Sequence, residues 1–275
     1  GIGAFGFYGV ALSGGEALLA GERAARWCAA VRRRHPRVYL WLYTNGLLAS
    51  PRAVAELADC GLDEVRFNLS ATDYQSEEVW HNLEAACGLL PAVAVEVPVI
   101  PARRRSLIEA TPRLAAAGVR YLHLHELIPT GGDDQAGSQE RYALDDRQQV
   151  GRLPGAREAL EEVAREVERR FPDLCVNRCS HEVKRHQMAM RRLTALRRWP
   201  AEPTQRVTGA GYLQSVLARF PGGRLELVHP AAAGSLELEA EELTLLTYRP
   251  RLSLDESRCV VAQQPHGGRH DSGSG

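Results

Sequence analysis

Five short β-rich runs recur at intervals of about 25–30 residues in the first half of the chain, with a helical stretch between each pair. That spacing is the length of a βα unit with its crossover helix. The runs are Gly9–Leu12, Val38–Tyr43, Glu64–Leu69, Val93–Ile100 and Tyr121–Ile128. Sequential parallel strands with right-handed crossovers form either a barrel or an open doubly wound sheet. The helices are clearly punctuated. Ser50-Pro51 supplies an N-cap and a proline for the first turn, and Gly61 follows the last turn. The first helix starts near Glu22 and stops before Pro36, and Gly118 closes the fourth. Pro112 predicts a kink or restart in that fourth helix.

Strand polarity separates the two architectures. In Glu64–Ser70 one parity holds Val65, Phe67 and Leu69, and the other holds Arg66, Asn68 and Ser70. In Tyr121–Ile128 the pair His123 and His125 alternates with Leu122 and Leu124. A central strand of a doubly wound sheet is apolar on both faces. The sequence therefore predicts an α/β fold, a partial (βα) TIM-type barrel with a wet interior, whose ligands enter at the strand C-termini. Glu96 on the fourth run is expected to neutralise Arg66 across that interior.

Composition excludes several classes. Apolar residues make up 44% of the 275 and charged residues 25%, which is ordinary globular usage. The 34 basic and 34 acidic residues cancel, which argues against a generic polyanion binder. No apolar run approaches the ~18 residues of a membrane span. Gly1 reads as a cut end, with no signal-peptide order behind it. A chain this long buries a core without staples, so the six cysteines read as reduced thiols of a cytosolic protein. Cys28, Cys60 and Cys87 fall on predicted helices.

Polar groups gather at the strand ends. After the first run comes Ser13-Gly14-Gly15-Glu16. A phosphate cradle adds Lys, Ser or Thr to its backbone donors, whereas this loop adds a carboxylate, which suits an ammonium group better. A tight βα turn is the alternative. The second run ends in Thr44-Asn45-Gly46, the third in Asn68 and Ser70, the fourth in Pro98–Pro101 and the fifth in His125-Glu126. Asn45-Gly46 also reads as a simple turn, and His125 also reads as a core histidine.

These residues carry a resemblance. The segments Val10–Leu18 (VALSGGEAL), Leu42–Gly46 (LYTNG), Gly61–Ser70 (GLDEVRFNLS), Val95–Pro101 (VEVPVIP), Leu122–Leu127 (LHLHEL) and Val176–Gln187 (VNRCSHEVKRHQ) together resemble radical S-adenosylmethionine (SAM) proteins. More narrowly, they resemble the branch related to pyruvate formate-lyase activating enzymes, over roughly residues 3–200. The resemblance implies SAM and a [4Fe-4S] cluster as cofactors. It implies Gly14, Gly15 and Glu16 around the SAM amino group, with Asn45 beside them, Asn68 or Ser70 at the ribose, and Val99 and Ile100 flanking the adenine. Arg66, Glu96, His123, His125 and Glu126 would face the substrate. The family's chemistry is reductive cleavage of SAM to a 5′-deoxyadenosyl radical that abstracts hydrogen. Its partners would be an electron donor and an unidentified polar small-molecule or protein substrate, with no membrane. The chain departs from the family in two places. The cluster-binding CxxxCxxC triplet occurs nowhere in it and is expected upstream of Gly1, and Ala17 stands where the family commonly has proline. Cys175 and Cys179 form a CxxxC with Glu182 at the third position, on a short strand expected after the barrel. An accessory metal there would need His181 or Cys259.

The expected organisation is a partial barrel over 1–140, a helical extension over 141–200, a small β-rich appendage over 201–266 and a disordered tail over 267–275. A Gly/Asp/Ser-rich loop, Gly131–Ser138, precedes helices at about Ala156–Phe171 and Ser180–Trp199. The second helix is basic, with Lys184, Arg185, Arg191, Arg192, Arg197 and Arg198. It reads as a solvated face or as a grip for nucleic acid. Appendage strands are expected at Arg224–His229, Ser235–Glu239, Leu243–Tyr248 and Cys259–Val261. Two other functions remain open. One is a non-catalytic nucleoside- or SAM-binding barrel; the other is a metal-dependent lyase using His123, His125 and Glu96. Imine chemistry is excluded from the lumen, because Lys184 is the only lysine and lies outside the predicted barrel strands.

Overall fold

The computed structural model describes Ile2 and residues 8–127, 141–143, 149–151, 153–197, 200–236, 240–248 and 260–265. The Gly131–Ser138 loop, Ile128, Arg198, Cys259, residues 237–239 and the tail from 267 lie outside the described residues. Two compact units divide the chain. One is essentially Gly6–Lys184, and the other is essentially Arg185 to the end.

The first unit alternates strands and helices: β1 (Gly9–Leu12), α1 (Gly21–Arg34), β2 (Tyr39–Thr44), α2 (Pro51–Asp59), β3 (Glu64–Phe67), α3 (Glu77–Leu89), β4 (Ala92–Val99), α4 (Arg104–Ala117) and β5 (Tyr121–Glu126). A short hairpin, β6 (Arg141–Ala143) with β7 (Gln149–Gly151), then precedes α5 (Ala156–Arg170), β8 (Cys175–Cys179) and α6 (His181–Leu196). The large sheet is parallel, in the order β1-β2-β3-β4-β5-β8. The order never reverses, so right-handed crossovers put the helices on one face. The core confirms that one-sidedness. It takes Leu40, Leu42, Val65, Phe67, Val93, Val95, Val97, Leu122 and Leu124, all of one strand parity, together with helix residues such as Val54, Leu83, Leu114 and Leu160. Among the described residues no ladder joins β8 to β1. The architecture is thus an open parallel α/β sheet compatible with a partial (βα) barrel.

Helix ends follow the sequence signals. The Ser50 hydroxyl accepts from the Ala53 N–H, with Pro51 at the first turn of α2. Gly118 closes α4 in the left-handed region at φ 87°. Pro112 does not break α4, which runs through it unbroken. Proline cannot donate to the Ile108 carbonyl four residues back, but the Thr111 hydroxyl does so at 2.7 Å. Thr111→Val keeps the shape and removes that donor at a fully buried position. It is expected to cost about 1–2 kcal/mol in chemical denaturation; an unchanged midpoint would show the carbonyl satisfied otherwise.

The sequence reading places Cys175 and Cys179 after the barrel, within a separate helical extension over 141–200. Instead β8 is the sixth strand of the sheet, paired with β5 from Tyr121↔Cys175 to His125↔Cys179. Its crossover helix α5 buries Leu160, Val163 and Val167 in the same core. The boundary between the units falls inside α6, between Lys184 and Arg185.

In the second unit β9 (Arg206–Val207), β10 (Leu213–Arg219), β11 (Leu225–Val228), β12 (Glu242–Tyr248) and β13 (Val260–Pro265) form an antiparallel sheet around a small core of Val216, Ala218, Phe220, Ala233 and Leu243. The central strand β10 is missing from the sequence reading. Ser235 and Leu236, expected in a strand, instead end a 3₁₀ turn over Pro230–Leu236. Arg192 is buried rather than solvated, donating to the Ala210 carbonyl at 2.6 Å under the Tyr212 ring.

Candidate functional site

Because the helices cover one face only, the opposite parity of every strand is left to line an open, polar face. At its C-terminal rim lies a cleft of about 530 Å³. Its lining includes Ser13, Gly15 and Glu16 after β1, Tyr43, Thr44 and Asn45 at β2, and Arg66 and Asn68 at β3. Glu96, Val97 and Pro98 of β4, His125 and Glu126 of β5, and Lys184 of α6 complete it.

The first loop is shaped by its glycines. Gly14 and Gly15 have φ of 111° and 57°, and among the described residues no atom beyond the chain neighbours lies within 4 Å of where a Cβ would stand on either. Their role is backbone conformation beside open space. Glu16 ties two loops together: Oε2 accepts from the Asn45 N–H at 2.8 Å and Oε1 from the Leu18 N–H at 3.1 Å. Asn45 in turn accepts from the Leu47 N–H at 3.0 Å, so its side chain closes the turn that the sequence allows. Asn68 reaches the cleft, while Ser70 does not line it and donates its hydroxyl to Asn68 Oδ1 at 2.5 Å.

The floor of the cleft is a chain of charges. Arg66 donates to Glu96 Oε2 at 2.8 Å, and Glu96 Oε1 meets His125 Nε2 at 2.8 Å. Arg66 also pairs with the buried Glu64 and lies over the Trp41 and Tyr43 rings. Arg66 and Glu96 thus pair as the alternation predicts. Burial opposes the charge on Glu96, but hydrogen bonds from His125 and Arg66 win and hold its carboxyl at about 2. Burial likewise opposes the imidazolium of His125, and hydrogen bonds to Cys179 and Glu96 overcome it, raising His125 to about 9. His123 sits deeper. It does not line the cleft, its Nδ1 lies 3.2 Å from Asn177 Nδ2, and burial, reinforced by Arg66, favours its neutral form.

The sequence matches no known family model and no curated protein.

Three expected site residues, Glu126, Val99 and Ile100, do not put their side chains into the cleft, although Glu126 belongs to its lining. Strand parity turns the Glu126 carboxylate away from His125, into the start of α6, where it accepts from the buried His181 N–H at 2.8 Å. Its side chain has no exposure, so it does not face a substrate. Val99 is fully buried in the helix-side core, and the cleft wall on β4 is Val97 and Pro98 rather than Val99 and Ile100. Conversely, Ser13, Tyr43, Thr44 and Lys184 line the cleft without having been assigned a role in it. The parity of Tyr43, shared with Trp41 and opposed to Leu42, was the available signal. Lys184 carried no local signal, and its exclusion from the lumen does not hold.

Cys175 and Cys179 are free and stand four residues apart on one strand, roughly 13 Å between Cα atoms at the ordinary strand rise. That is too far for a disulfide or for a shared small metal site. Among the described residues no three His, Cys, Asp or Glu side chains converge as a metal-ligating group. Burial pushes the Cys28 and Cys87 thiols up to about 11, which disfavours the reactive thiolate at both. No helix among the described residues is long and apolar enough to cross a membrane.

Proposed function

We propose that this chain is the SAM-binding body of a radical SAM enzyme acting on a polar substrate. The observation that carries the reading is the convergence on one cleft of three successive strand ends, Gly15-Glu16, Asn45 and Asn68, above the Arg66–Glu96–His125 floor. The residues suit the sulfonium cofactor. Gly14 and Gly15 leave their backbone open, and each Glu16 oxygen spends only one acceptor site on a backbone N–H, keeping a lone pair for an ammonium group. When bound and reduced, SAM supplies a carbon-centred radical able to abstract hydrogen from a substrate. The chain's own residues orient and charge-balance the ligand: Glu16 takes the ammonium, Asn68 a sugar hydroxyl, and His125 holds a proton at Nε2 against Glu96.

A [4Fe-4S] cluster does not fit the residues present. CxxxCxxC occurs nowhere in the sequence, and Cys175 and Cys179 are too far apart to share one. The enzyme reading therefore places the cluster ligands upstream of Gly1. A CxxxCxxC in the parent reading frame supports it. A start codon there without one favours the second reading, a non-catalytic nucleoside- or SAM-binding protein on the same sheet.

Equilibrium dialysis with radiolabelled SAM tests the site common to both. Glu16→Gln, which removes one charge-assisted contact, and Gly15→Val, which puts a branched side chain at φ 57° in the loop, are each expected to weaken binding about tenfold or more. Unchanged affinity in variants with native circular dichroism would remove Gly14–Glu16 from the site.

A further inference from the structure

Every basic residue of this chain but one is an arginine, and the exception, Lys184, lies in the cleft. Of the 34 basic residues only Arg66 and Lys184 line it among the described residues. Arg66 is committed to Glu64 and Glu96, and His125 to Glu96, so those charges balance locally. The Glu16 carboxylate is held by two backbone N–H groups, and that of Glu126 is buried against His181. Among the described residues Lys184 makes no salt bridge. Its Nζ has a backbone acceptor, the Glu126 carbonyl, at 3.4 Å. An ammonium on a half-buried wall with so long a contact keeps most of its donor capacity.

We propose that Lys184 is an anion-binding residue, and that the substrate of this cleft carries a carboxylate or phosphate group that its ammonium holds. The proposal rests on the SAM reading only in treating that substrate as a second molecule. SAM has a carboxylate of its own, on the same carbon as the amino group assigned to Glu16. Glu16 is anchored at the end of β2 through Asn45, and Lys184 at the end of β5 through Glu126. Those ends are three strand spacings apart, roughly 14 Å along the sheet. One amino acid head group cannot span both, so the anion at Lys184 belongs to another ligand. A compact ammonium, unlike a guanidinium, binds an oxyanion as a point charge without demanding bidentate geometry.

Lys184 carries the only side-chain amine, so acylation with sulfosuccinimidyl acetate, read by peptide mass spectrometry, reports this position cleanly. Inorganic phosphate or succinate, at ionic strength matched with chloride, should each be tried on the folded chain. At saturation one or both are expected to slow acylation of Lys184 about tenfold, and whichever protects fixes the class. In dialysis with labelled phosphate or succinate, Lys184→Gln is expected to lose about tenfold in affinity and Lys184→Arg to retain most of it. Acylation unaffected by both anions would overturn the proposal, and needs no variant. Protection by SAM alone would also overturn it, assigning the amine to SAM's own carboxylate. The SAM reading fails separately, as loss of SAM binding in dialysis while phosphate or succinate still protects Lys184.

Discussion

Gly46→Ala is expected to destabilise the first unit by about 3 kcal/mol or more, the sum of two independent penalties. Gly46 follows β2 with φ of 88°, where an L side chain costs of order 1–3 kcal/mol. A Cβ there would also stand 2.6 Å from Val79 Cγ1 and 3.0 Å from Phe67 Cδ1. Both neighbours are fully buried, so neither swings aside, and overpacking of this kind costs about 1–3 kcal/mol. The backbone cannot retreat easily, because the Gly46 carbonyl accepts from the buried Asn82 amide at 2.9 Å and its N–H donates to Thr44 at 3.0 Å. Gly118→Ala is the control. It shares the backbone conformation, φ 87°, but among the described residues nothing beyond its local chain lies within 4 Å of the new methyl. Urea denaturation followed by tryptophan fluorescence should therefore separate the two variants by about 1–3 kcal/mol. Equal losses would show that Val79 and Phe67 yield at little cost.

Glu96→Gln is expected to cost about 3 kcal/mol near pH 6 and progressively less above it. The carboxylate stands between Arg66 and His125, and removing its charge leaves two cations facing each other on a half-buried surface. The pH dependence follows from the signs of the two shifts. His125 is raised from 6.5 to about 9, so its contribution is complete below pH 6.5 and is lost as pH rises through about 9. Glu96 is depressed from 4.5 to about 2, so its contribution is complete above pH 4.5 and is lost as pH falls through about 2. The wild-type advantage over the variant should thus be greatest between about pH 5 and 6.5. Imidazole NMR titration offers a second readout. The apparent pKa of His125 should drop by at least a unit in the variant, about 1.4 kcal/mol per unit. An unshifted wild-type histidine would remove the ion chain from the account of this floor.

The βα alternation, the helix caps at Ser50 and Gly118 and the two-faced strands were all legible before any coordinates. Each is a local signal: a cap hydroxyl, a left-handed glycine, a period of two. The same period placed Arg66 and Glu96 on one face, where they pair at 2.8 Å. The same period puts Glu126 and Val99 on the helix-side parity, where both side chains are buried. β10 escaped because its sequence, LQSVLAR, does not alternate cleanly, so apolar runs of this length suit a strand or a buried helix turn equally.

Sequence by itself thus determined which side of each strand is wet, and hence that helices cover one face and leave the other polar. Only the tertiary structure decided which distant segment completes that face. β8 joins β5 across a connection of nearly 50 residues, from Glu126 to Cys175, and brings the one lysine to the cleft behind it. Periodicity is written into neighbouring residues, whereas this long-range strand pairing goes with the burial of α5 against β4, β5 and β8. No local pattern encodes that choice.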